Sequence, residues 1–99
     1  MASGDMNSPD YVMFANSSTQ LLTAADLSSL TPWELSVARN EIYARHGFVF
    51  KTNAQIKAYF ENKSWYQENP SFQGTDSELN QTEITNIKLI RTYEANANG

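Results

Sequence analysis

Three times this chain writes the same local instruction: Leu22-Thr23-Ala24-Ala25-Asp26-Leu27, Leu30-Thr31-Pro32-Trp33-Glu34-Leu35 and Leu79-Asn80-Gln81-Thr82-Glu83-Ile84. In each, a Thr or Asn side chain can accept from an unpaired amide of a first helical turn, and an acid three residues on can reach back to the cap's own amide. The flanking apolar pair then closes over the turn. Each stretch reads as a helix start. In the second, Pro32 falls at the first helical position, where its missing amide costs nothing. The sequences beyond the starts diverge, so this is shared start grammar and not an internal repeat.

The first start supports only a short turn, because the second begins at Leu30. The second opens the main helix, expected over 32 to 46. Gly47 ends it, since a left-handed residue lets the last carbonyls find amides, and Phe48 can then pack back towards Tyr43. A further helix is expected from a Thr52 or Asn53 cap to 62, burying Ile56, Tyr59 and Phe60. Residues 63 to 77 read as a loop, and the last helix as 81 to 94, apolar over more than half its circumference. The fold class is therefore all-α: a small helical domain with a central helix ending at a glycine cap. Tyr11-Val12-Met13-Phe14 and Phe48-Val49-Phe50 are expected as one short extended pair at an edge. Residues 1–10 read as a disordered linker or vector-derived stretch, 11–94 as the domain, and 95–99 as a frayed tail.

At about 100° per residue, Leu35, Ala38 and Ile42 share one face of the central helix, while Trp33, Val37 and Ala44 share nearly the opposite one. Such a helix is covered on two sides. Arg39 and His46 fall beside the first face and Asn40 within the second, so these polar side chains need partners; for Arg39 the expected partner is an acid from another helix. Glu41 and Arg45, four apart in the favourable order, fall on a flank and can pair with each other.

The end of this helix reads Arg39-Asn40-Glu41-Ile42-Tyr43-Ala44-Arg45-His46-Gly47, and its second half resembles the signature of the YARHG domain family. The likeness extends to the Leu-Thr and acid-Leu pairs before it and to Phe50, Tyr59-Phe60 and Trp65-Tyr66 after it, covering 11 to 94. The family consists of small domains of bacterial secreted or membrane-anchored proteins. The resemblance implies an extracellular or cell-surface location, and makes Arg39, Asn40, Glu41, Tyr43, Arg45, His46 and Gly47 a structural signature; it brings no established catalytic or binding residues.

Composition narrows the chemistry. A net charge of −4 with seven scattered Lys and Arg repels a phosphate backbone and offers no polybasic anchor, which argues against nucleic acid and against docking on an anionic membrane. No apolar run approaches the ~18 residues of a membrane-spanning helix, so direct membrane insertion by this domain is not expected. Cysteine is absent, and His46 is the single histidine, so neither a metal centre of ordinary type nor any cofactor is implied. Serine catalysis would need His46 beside a nucleophile such as Ser36 or Ser64, and no G-x-S-x-G elbow is present.

Trp65 and Tyr66, followed by Gln67, Asn69 and Phe72, are aromatics and amides in one long polar loop. Flat rings beside amides suit the apolar face and hydroxyls of a pyranose; the competing reading is that the rings plug the core from the loop. The sequence thus points to a non-catalytic extracellular module binding cell-wall polysaccharide or another protein. A small hydrolase, or an accessory domain of a cell-wall enzyme, is the alternative.

Overall fold

A computed structural model describes residues 6–98, and within these the chain forms four α-helices: α1 (Ala24–Leu27), α2 (Pro32–Arg45), α3 (Ala54–Glu61) and α4 (Gln81–Asn98), with a 3-10 turn at Asp76–Glu78 before α4. The three start signals act as their chemistry dictates. The amides of Thr23, Thr31 and Asn80 donate to Asp26, Glu34 and Glu83 at 2.9, 2.8 and 3.0 Å, and the cap side chains accept in return. Each reciprocal cap is worth about 1 kcal/mol. The central helix stops where glycine permits: Gly47 has φ +89, and Phe48 folds back with its ring 5.9 Å from that of Tyr43. A Cβ at Gly47 would stand 2.6 Å from the Gln67 carbonyl oxygen, so close approach of the loop requires glycine as much as the backbone angle does.

α2 lies between two apolar clusters. Leu35, Ala38 and Ile42 meet Ile87 and Ile90 of α4, with Leu27, Phe72 and Leu79 closing the ends. On its other side Val37 and Ala44 meet Ile56 and Phe60 of α3, and Phe50 stacks on Phe60 with centroids 5.3 Å apart. Full burial of side chains such as Ile42 and Phe60 contributes about 1.5–3 kcal/mol each.

The expected extended pair does not form: the described residues contain no strand. Met13 and Phe14 direct their amides to the Glu41 carboxylate of α2, at 2.7 and 2.9 Å, so a side chain stands where a second strand was expected. Of the presumed linker, residues 1–5 lie outside the described residues. The rest is gripped by four consecutive side chains after α3. Asn62 donates to the Asn7 carbonyl, the Lys63 ammonium to those of Met6 and Ser8, Ser64 to that of Pro9, and the Trp65 indole to that of Tyr11. α4 continues past the expected end at 94 to Asn98; Gly99 lies outside the described residues.

Candidate functional site

The signature residues build an internal polar seam along one flank of α2. Glu41 is 0% exposed although a helical wheel leaves that position open, because residues 13–18 lie over it. Besides the two amides it receives the Arg45 guanidinium at 3.2 Å. Burial raises its pKa above the usual carboxylate range, against the opposing pull of the Phe14 and Met13 amides and the charges of Arg45 and Lys63. Arg45 in turn donates to the Phe14 carbonyl and to the hydroxyls of Ser17 and Ser18. One residue pair therefore fastens four positions of irregular chain, 13, 14, 17 and 18.

Ser18 carries the seam to a second buried acid. Its hydroxyl donates to Glu83 Oε2 at 2.7 Å, and the His46 Nε2 lies 2.8 Å from the same oxygen, while Oε1 accepts from the cap amide of Asn80. Desolvation works to raise the pKa of Glu83, but the donors from Ser18, Asn80 and His46 prevail and hold it below the usual range. Glu83 was legible as a capping acid; its second bond, to His46 at the C-cap of the central helix, was not. The His46 ring is stacked on Phe72 at 4.8 Å, which fixes its plane. One turn along α4, the buried Asn86 accepts from the Leu22 amide and donates to the carbonyls of Ser17 and Gln20.

A hydrolytic triad needs the serine on the imidazole and the acid behind it. Here serine and imidazole converge on the acid instead. Ser36 receives the Asn40 side-chain amide, and Ser64 bonds Pro9 and Asp10, so the two serines singled out by sequence are engaged away from His46. The remaining signature residues are also occupied. Arg39 pairs with Glu94 of α4 at 2.6 Å, the inter-helix partner expected for it; Asn40 donates to the Ser36 carbonyl one turn back; and the Tyr43 carbonyl takes the amides of His46 and Phe48. Among the described residues no group of three or more acids and histidine is placed to hold a metal ion.

The loop offered as a sugar platform faces inward. Phe72 is 8% exposed; the half-buried Trp65 and Tyr66 pack on the Phe50 and Phe60 cluster, with the Tyr66 hydroxyl donating to the Phe48 carbonyl. Gln67 and Asn69 are exposed, but the Gln67 carbonyl and the Asn69 backbone lie against Gly47, whose carbonyl takes the Asn69 amide at 2.7 Å. The physical reason is that Gly47 admits the loop so closely that its aromatics reach the core.

The open aromatic is elsewhere. Trp33, placed by periodicity on a covered face, is 39% exposed, because it sits in the first turn of α2 where α3 reaches only its edge. Tyr59 of α3 meets it edge to face at 5.9 Å, and the Lys63 ammonium lies 4.2 Å from the centre of the Tyr59 ring. Together with Met6, Asn7, Gln55, Ala58 and Asn62 these residues line an open cleft of about 440 Å³. A larger groove of about 810 Å³ runs past Arg39, Phe48, Lys51, Glu68 and Gln73. Its Arg39 is already held by Glu94.

Residues 10–95 match the YARHG domain, which confirms over nearly the whole chain the likeness carried by the signature. No curated protein and no solved structure matches the chain.

Proposed function

The chain belongs to the YARHG domain family, and from that premise we propose that it is a non-catalytic extracellular module of a bacterial secreted or membrane-anchored protein, binding cell-wall glycan at its surface. The observation that carries this reading is the engagement of the signature: its Glu41, Arg45 and His46, with Glu83 of α4, are committed to one another and to the chain's own backbone. Groups held this way position a fold. General acid or base work requires a group free to exchange its proton with a substrate. What remains for a ligand is surface, and the exposed aromatic surface backed by a second ring is at Trp33. No helix among the described residues is long and apolar enough to cross a membrane.

Co-sedimentation with purified bacterial cell wall tests the reading. The domain should pellet with the wall and stay in solution without it. A domain left in the supernatant at every wall concentration contradicts the proposal and shifts it to a protein partner. The same incubation separates the alternative of a small hydrolase, which would release soluble wall fragments; none is expected.

A further inference from the structure

We infer that the cleft beneath Trp33 is a binding site for a neutral pyranose, with an N-acetylated hexosamine as the class that fits it best. The inference rests on the glycan-binding reading above and gives it a place. The first argument is the platform. Trp33 presents its indole to solvent, yet the ring is braced: Tyr59 meets it at 86° and is itself held on its far contact by the buried Lys63. A braced ring loses little side-chain freedom when a sugar stacks on it, whereas a free surface tryptophan must be ordered by the ligand. Leu21, the other large apolar side chain this exposed among the described residues, lines neither cleft.

The second argument is charge. Among the described residues no carboxylate lines the cleft, and the one cation lining it, Lys63, donates to the carbonyls of Met6 and Ser8 while lying over the Tyr59 ring. A phosphate or carboxylate ligand would have to draw that ammonium off two carbonyls, and a cationic ligand would meet it as a like charge. Neutral ligands meet no such cost. The other lining residues with polar side chains are Asn7, Gln55, Asn62 and Tyr59, the last with a buried hydroxyl that has no hydrogen-bond partner. An amide both donates and accepts, which is what a ring of hydroxyls, each also donor and acceptor, requires. The Asn62 side chain has one amide hydrogen on the Asn7 carbonyl and keeps its carbonyl oxygen for a donor.

The third argument is size. A cleft of about 440 Å³ lies in the range of small-ligand sites. Met6 and Ala58 supply small apolar patches beside the indole, suited to an acetamido methyl group. Because Met6 and Asn7 belong to the segment gripped by residues 62–65, the site is completed only when that segment is docked.

Titration of the whole domain with N,N′,N″-triacetylchitotriose, followed by two-dimensional NMR, decides the matter. The inference expects saturable shifts at the Trp33 indole N–H, the Ala58 amide and the Gln55 and Asn62 side-chain amides, with the Trp65 indole unmoved. Trp33→Ala should abolish them while the thermal midpoint stays near that of the parent, and Gln55→Ala, at an exposed position, should weaken binding about tenfold. Saturable shifts that map to any other surface overturn the site. A parent domain that pellets with cell wall yet shows no shift with the trisaccharide overturns the hexosamine cleft and leaves the wall-binding module standing. Absence of both binding and pelleting removes both.

Discussion

Glu41 and Glu83 are two carboxylates buried to within 2% of complete enclosure, and they accommodate charge in opposite ways. Glu41 faces residues 13 and 14 and the flank of α2, under a lid of irregular chain; burial dominates there and its pKa goes up. Glu83 faces the end of the same helix from α4, at a margin where the His46 side chain is still 33% exposed, and three donors on its two oxygens bring its pKa down. Arg45 and Ser18 lie between them and tie the two into one seam. The difference teaches what the signature is for. One acid replaces a missing strand, the other locks a helix end, and both bond the irregular chain that precedes α1.

Glu41→Ala should be the most damaging change. It leaves the Met13 and Phe14 amides and part of Arg45 without an acceptor inside a closed seam, a loss of about 3 kcal/mol or more in urea melts. Glu83→Ala removes a cap and the partner of His46 and Ser18 at a wetter margin, for about 2 kcal/mol. If the second substitution cost clearly more than the first, the assignment of the strand-replacing role to Glu41 would have to be reversed.

Acid sharpens the contrast. Glu41 binds its proton more tightly folded than unfolded, so stability declines as pH rises from the ordinary carboxylate value through its raised folded value. Glu83 does the reverse: its contribution is present above the ordinary value and is lost as pH falls through its depressed folded value. Stability measured against pH should therefore lose its decline on the high side in Glu41→Gln and its fall on the low side in Glu83→Gln. Parallel curves for both variants would remove the distinction. The smallest effect belongs to Glu34→Ala: this capping acid bonds only its own cap at the surface, so the loss should stay near 0.5 kcal/mol. That gap between Glu34 and Glu83, identical in sequence grammar, measures what the seam adds.

The parts of the fold that were legible are those whose partners are near in sequence. Caps join residues three apart, and Gly47 acts on the turn before it, so the helices could be placed within a few residues from the chain alone. The seam joins Met13 to Glu41 and Ser18 to Glu83 across 28 and 65 residues, through side chains bonding irregular backbone. Periodicity carries no trace of such contacts, and for that reason Glu41 read only as a flank residue able to pair with Arg45. The two tryptophans depend on contacts distant in sequence for a related reason. A helical wheel assigns Trp33 a covered face without showing that Tyr59 of α3 meets it only edge to face, and loop composition leaves Trp65 between a surface platform and a core plug without showing that the loop passes against Gly47. The grip of residues 62–65 on the leading segment could have been suspected from four consecutive donors, Asn62, Lys63, Ser64 and Trp65, although nothing in their spacing names the acceptors.

Amide hydrogen exchange at Met13 and Phe14 tests the central claim directly, since these two residues lie in neither helix nor strand and owe their bonds to one side chain. If the Glu41 carboxylate takes the place of a strand, both amides should exchange at least about a hundredfold more slowly than unstructured chain. Exchange at the rate of an open loop, with the α2 amides still protected, would contradict the account.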